Sequence, residues 1–186
     1  ATYTYNDAQE LIGTTNGNNE SYSYTYSDPT EHRLVAARSN QLGSGFTYTY
    51  DSFGNIVGTK MGTVDTSGVL DTDELYLESG VTYDSTGNYV TAVTDQRGNT
   101  VSYNIDPISG LTGSITDPSG ATTSYTYEED SWLPLTVTSG DASVSYGYDA
   151  YNRLTQIRHN GFTYHFTFDK FGNTGTVKVG NQALIT

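Results

Sequence analysis

At 186 residues, with 21 acidic against 8 basic side chains and a formal net charge of −13, the chain lacks the basic footprint that non-specific nucleic-acid binding needs. It has no cysteine, which excludes a disulfide framework and a thiolate metal centre, and no apolar run near the roughly 18 residues of a membrane-spanning helix. Hydrophobic residues make up 34% of the chain and aromatics 13%, nearly all Tyr, so the surface available for packing consists of large rings with polar tips.

Taken in chain order, one motif recurs. It is a Tyr-x-Tyr pair, an acidic or polar residue, a short turn and an apolar residue. The first copy is Tyr3-Thr4-Tyr5-Asn6 with Leu11, and the second is Tyr24-Thr25-Tyr26-Ser27 with Arg33-Leu34 displaced by two residues. The third, Tyr48–Lys60, is the clearest: Tyr48 and Tyr50, Asp51, Gly54 and Ile56. The fourth holds Tyr83, Asp84, Gly87 and Tyr89; the fifth holds Tyr103, Asp106, Gly110 and Leu111. Then come Tyr125, Tyr127, Glu128 and Leu133; Tyr146, Tyr148, Asp149 and Leu154; and Phe166, Phe168, Asp169 and Gly172. The eight anchors, at 5, 26, 50, 83, 105, 127, 148 and 168, lie about 22 residues apart except for one gap of 33. Such a unit has room for two strands and two turns. The units fall near 1–20, 21–44, 45–60, 81–99, 100–120, 121–141, 142–161 and 162–186, with an insertion at 61–80.

Within a unit each residue type has a local reason. Side chains alternate along a strand, so Tyr48 and Tyr50 share a face while Thr47 and Thr49 take the other. Asp51 suits position i of a type I turn, and Gly54 suits i+3, where the chain reaches positive φ. A type I turn followed by such a glycine is a common three-residue hairpin loop with a bulge. Asp95–Gly98 and Asp117–Gly120 repeat this logic between units, Asn160-Gly161 is a two-residue hairpin signal, and Asn16-Gly17 is read the same way. Ser131 and Asn152 stand where two copies would have the turn glycine. Ser takes positive φ poorly, so the 128–133 turn is expected to have another form.

No stretch has a helical period. The expected fold is all-β: an antiparallel meander of about eight two-stranded hairpin repeats, roughly sixteen strands. Open sheets of more than about ten strands curl or split, so the strip is expected to curve, and its two edges invite pairing between chains. The chain begins and ends inside a repeat and reads as a section of a longer protein.

The pattern Tyr-x-Tyr-Asp-x-x-Gly-Asn/Arg-Leu/Ile/Val, with TDPSGATTSYTY and YGYDAYNRLTQI as its best examples, resembles the YD-repeat (RHS-repeat) family over almost the whole chain. That resemblance implies a ribbon of β-hairpins, one section of a spiralling hollow shell. Family members include bacterial polymorphic toxins, toxin-complex cocoon proteins and teneurins. In the toxins the shell encloses a C-terminal toxic domain, and some Gram-positive members are wall-associated. Asp106-Pro107, Gly110, Asp117-Pro118 and Gly120 bear a faint similarity to the family's self-cleaving core. Three more repeats follow them here, and no cleavage residue is carried over.

Sites are read against this background. Asp65, Asp71, Asp73, Glu74 and Glu78 in the insertion form the candidate calcium set, against the plainer reading of an exposed acidic loop or extended hairpin. His159 and His165 read as cross-strand polar neighbours rather than a metal or catalytic pair. Trp132, the one tryptophan, is the candidate ligand contact, a ring that could stack on a sugar, against filling the apolar face or covering an edge. No acid/base pair stands out. The expectation is therefore a non-enzymatic structural section without cofactors, from a secreted or cell-surface bacterial protein. Its partners are neighbouring repeats and an enclosed toxin domain, and the alternative is a surface-exposed carbohydrate-binding or adhesion module.

Overall fold

The computed structural model describes residues 1–27, 30–39 and 43–185. Asp28-Pro29 of the expanded second turn, Asn40–Leu42 and Thr186 lie outside the described residues. The chain forms two compact units, Ala1–Thr100 and Val101–Thr186. Among the described residues it is all-β, with seventeen strands and no helix long and apolar enough to cross a membrane.

The first unit carries β1 (Thr2–Tyr5), β2 (Leu11–Thr15), β3 (Ser21–Tyr26), β4 (Leu34–Ser39), β5 (Ser44–Tyr50), β6 (Ile56–Thr63), β7 (Leu77–Tyr83) and β8 (Val90–Thr94). Each pairs antiparallel with the next, from β1–β2 through to β7–β8. The second unit carries β9 (Thr100–Ile105), β10 (Thr112–Thr116), β11 (Thr122–Tyr127), β12 (Pro134–Ser139), β13 (Ala142–Tyr148), β14 (Leu154–His159), β15 (Phe162–Phe168), β16 (Thr174–Val179) and β17 (Gln182–Ile185). The same consecutive antiparallel pairing runs from β9–β10 to β16–β17.

Register sorts the side chains into rows. Tyr146, Ile157, Tyr164 and Val179 are successive partners across β13–β16, and Tyr125, Val137 and Val144 form a parallel row across β11–β13. Thr126, Thr136, Ser145, Arg158 and Thr163 line the other face. In the first unit Tyr24, Ala37, Phe46, Met61 and Leu77 make the equivalent apolar row. Such cross-strand neighbours are the unit by which a sheet is stabilised.

Two hydrophobic side chains are buried among the described residues, Ala36 and Val64, each 1% exposed. Both owe this to the 61–80 insertion. β6 runs on to Thr63, Val64 bridges to Leu70, and Asp65–Val69 turns the chain. The Val64 N–H donates to the Gly43 carbonyl (2.7 Å), and Arg38 Nε donates to the Val64 carbonyl (2.5 Å). Gly68 comes down on Thr25 and Ala36 so closely that a Cβ there would be 2.7 Å from Thr25 Oγ1 and 3.1 Å from Ala36 Cβ. The first half of the insertion thus turns back on itself and rests Val64 and Gly68 on the threonine face of β3–β5, while Asp65, Asp71, Asp73 and Glu74 stay exposed, in keeping with the plainer reading of an exposed acidic loop or extended hairpin. Its small residues made that contact invisible to a reading of charge.

Candidate functional site

The recurring structure is a bulged turn at the end of every Tyr-x-Tyr strand. In the third copy, the Asp51 N–H donates to the Asn55 carbonyl (3.0 Å) and the Gly54 N–H donates to the Asp51 carbonyl (3.2 Å). Asp51 Oδ1 accepts the N–H groups of Phe53 and Asn55, both at 2.9 Å, and Gly54 has φ 90°. Tyr50 then pairs with Ile56 while Thr49 pairs with Gly58, so Val57 is an extra, unpaired residue. The same register shift falls just before Tyr5, Tyr26, Tyr83, Ile105, Tyr127, Tyr148 and Phe168. The eight turns close on Glu10, Arg33, Asn55, Tyr89, Leu111, Leu133, Arg153 and Asn173, whose carbonyls accept the N–H of the residue that opens the turn. Four lie in each unit.

The turn residues vary more than the turns. Gly87 and Gly172 have φ 74° and 88°, and Asn152 takes the same region at 62°. At 128–133 it is Trp132, with φ 57°, and not Ser131. That loop is one residue longer, so the Trp132 N–H reaches back to the Glu128 carbonyl (3.0 Å) while the Ser131 hydroxyl meets the Glu128 carboxylate. Gly110 does the same with Asp106 (2.9 Å). Asn16-Gly17 is likewise not a two-residue hairpin: Asn16 opens a turn whose left-handed residue is Asn19, φ 61°. Asn160-Gly161 does have positive φ at both positions, 49° and 79°.

Donors converge on the turn carboxylates and hold them below the usual aspartate range. The largest contribution is the Thr86 hydroxyl for Asp84, the Asn99 amide for Asp95, the Ser109 N–H for Asp106, the Ser119 hydroxyl for Asp117, the Arg153 guanidinium for Asp149 and the Asn173 amide for Asp169. At Asp51 partial burial acts upward, but the Asn55, Phe53 and Gly54 donors outweigh it. Folded values lie below unfolded ones, so this stability is complete above the ordinary Asp value of about 3.9 and is lost as pH falls through the folded values. The urea midpoint should therefore fall between pH 5 and pH 2; an unchanged midpoint would contradict this role for the carboxylates.

A second recurring contact ties four of the repeats to the one before. The phenol hydroxyl of Tyr26 donates to the Leu11 carbonyl (3.0 Å), Tyr50 to Leu34 (2.5 Å), Tyr127 to Thr112 (3.0 Å) and Tyr148 to Pro134 (2.9 Å). In each case the acceptor is the ladder partner of the preceding repeat's last ring or its equivalent, where the bulge opens the ladder. Burial raises the hydroxyl pKa of Tyr26, Tyr50 and Tyr148. Phe168 occupies the same place with respect to Leu154, the partner of Tyr148, but carries no hydroxyl. Tyr148→Phe should destabilise by about 1 kcal/mol, and Phe168→Tyr should stabilise by up to about 1 kcal/mol. Equal unfolding midpoints for wild type and both variants would rule the tether out.

The turn-closing residues reach sideways to the next turn. Glu10 Oε1 meets His32 Nδ1 at 2.7 Å, Arg33 Nη1 donates to the Asp51 carbonyl (3.1 Å), and Asn55 Nδ2 donates to the Gly87 carbonyl (2.8 Å). Arg33 lies over the Tyr50 ring at 5.6 Å, and Arg153 lies over the Phe168 ring at 4.7 Å. At Arg33, Asn55 and Arg153 the sequence shows an Asn or Arg directly after the left-handed turn residue, but Glu10 departs from that pattern.

The remaining candidates do not assemble. Asp65 Oδ1 accepts Ser67 and Val69 N–H groups, Asp71 Oδ1 accepts the Asp73 N–H, and Glu74 Oε2 accepts the Thr63 hydroxyl. Among the described residues no three acidic or histidine side chains converge as metal ligands. His159 pairs with Phe162, whereas His165 pairs with Gln156, so the two histidines stand on opposite faces rather than as neighbours. Trp132 is 57% exposed in the 128–133 turn.

By structure, the chain is similar to sections of Tc toxin complexes. The Tc holotoxin pore of Photorhabdus luminescens, with a mutated TccC3, matches 99% of this chain and 12% of its own at 13% identity, TM-score 0.55. A TcdB2–TccC3 crystal structure matches 94% and 12% at 14% identity, TM-score 0.54. The chain thus spans about an eighth of those chains, and at this identity the likeness is one of fold. No protein-family model matches the chain, and no curated protein matches its sequence.

Proposed function

We propose that this chain is a wall section of a β-shell built from YD (RHS) repeats, part of a larger secreted or cell-surface bacterial protein, and that it works by shape rather than catalysis. The observation that carries this is the eightfold bulged turn, with its tyrosine tethers and sideways ties. Within each unit these contacts join neighbouring repeats, which is what a continuous wall requires. The turn aspartates already hold backbone donors, so their abundance needs no acid/base chemistry to explain it. Fold likeness to the Tc complexes supports the same reading, with a toxin or other cargo domain as the enclosed partner.

Electron microscopy of the longer protein tests it. The section should lie in an uninterrupted wall around a lumen. A separate lobe on a flexible connection, or hydrolytic turnover abolished by one Asp or His substitution, would end the proposal. The exposed ring of Trp132 favours a second reading, a carbohydrate-binding surface, which a glycan array would reveal.

A further inference from the structure

The grooves between successive turns are not equivalent. In the seventh turn the Arg153 guanidinium takes both its own Asp149 carboxylate (Nη2–Oδ2 2.7 Å, Nε–Oδ2 2.7 Å) and the face of the next repeat's Phe168 ring (4.7 Å). In the second turn Arg33 sits near Glu31 (3.6 Å) and over the next repeat's Tyr50. In both of these grooves a guanidinium lies between a carboxylate and a ring. The fifth turn closes on Leu111, which can supply no such group.

Its groove, about 420 Å³, is lined by Asp106, Leu111, Tyr127, Glu128, Glu129 and Trp132 among others. Asp106 Oδ1 accepts the Ile108 N–H (3.1 Å), the Ser109 N–H (2.7 Å) and the Ser109 hydroxyl (2.8 Å). Oδ2 accepts none of these, and in Asp149 it is Oδ2 that holds the arginine. Where the eighth turn has Asp169-Lys170, the sixth has Glu128-Glu129. The groove therefore combines three carboxylates, three aromatic rings (Tyr125, Tyr127 and Trp132) and no basic side chain in its lining.

We propose that this groove docks an arginine side chain from a basic segment of a partner polypeptide, in the place that Arg33 and Arg153 fill in their own grooves. The guanidinium would pair with Asp106 Oδ2 and Glu129 and stack between the Tyr127 and Trp132 rings. Guanidinium rather than ammonium is favoured because it is planar, weakly hydrated and stacks on rings. The inference goes beyond the shell reading and rests on the groove alone.

Trp132 is the sole tryptophan, so its fluorescence reports the site directly. The probe is acetyl-Gly-Arg-Gly-Arg-Gly-amide, titrated at low salt, with its citrulline counterpart as the uncharged control. The expected result is a saturable change with the arginine peptide. Leu111→Arg, which supplies the missing guanidinium from within, should weaken binding about tenfold, and Glu129→Gln should weaken it several-fold. Val69→Arg makes the same charge change on a 62% exposed residue of the first unit and should bind as wild type. No saturable response, equal binding of the citrulline peptide, or equal affinity in Leu111→Arg and Val69→Arg would overturn the proposal. Should Leu111→Arg fail to fold, unchanged affinity in Glu129→Gln would overturn it alone.

Discussion

Gly45→Ala is expected to cost the fold about 3 kcal/mol or more, although one methyl is added and no positive φ is involved. The Cβ would overlap the Ala37 carbonyl oxygen and stand 3.0 Å from both Arg38 Cα and Val64 Cγ2. Two of those three neighbours are backbone atoms of β4, so no side-chain rotation relieves the clash. The third is the buried residue around which the insertion folds. Separation of β4 from β5 would also loosen the insertion, exposing Ala36 and Val64. Gly17→Ala is the control, since a Cβ there meets nothing within 4 Å. Urea unfolding followed by circular dichroism should separate the two variants widely, and coincident curves would mean that the corner is not built as described.

Gly87→Val should cost about 2–4 kcal/mol, through two additive mechanisms. The residue has φ 74°, where a β-branched side chain is strained. A Cβ there would also meet the Phe53 ring at 2.6 Å, displacing it and endangering the Asn55 bond to the Gly87 carbonyl. The damage should therefore reach the third turn as well as the fourth. Ser52→Ala, in an exposed part of that third turn, is expected to be near neutral. Equal midpoints for the two variants would contradict both the turn geometry and the tie between turns.

The periodicity made the fold legible. Tyr-x-Tyr with alternating Thr dictates a two-faced strand, and Asp51 with Gly54 dictates a bulged hairpin, so repeating them dictates a meander. What stayed hidden depends on the third dimension. Tyr148 advertises a ring by its type, but only the bulge opposite the preceding repeat's last ring gives its hydroxyl a carbonyl to meet. The turn-closing ladder uses Glu10 with His32, Arg33 with a ring and carbonyl, and Asn55 with a carbonyl, so no single residue type betrays it. Trp132 took the left-handed position because loop length, not residue preference, decided where the chain reverses. His159 and His165 were separated by register, which spacing alone does not give. The contacts of the insertion were masked by its acidic residues, whereas Gly68 and Val64 make them.

The central proposal is a wall section whose repeats are held together one to the next along the ladder. Small-angle scattering of the purified chain, with mass determined in the same run, tests it most directly. A compact globule of this length would have a radius of gyration of about 16 Å. The account predicts a clearly larger value at monomer mass. A value near 16 Å would mean that the sheet faces bury one another, and the wall-section reading would give way to a self-contained binding domain.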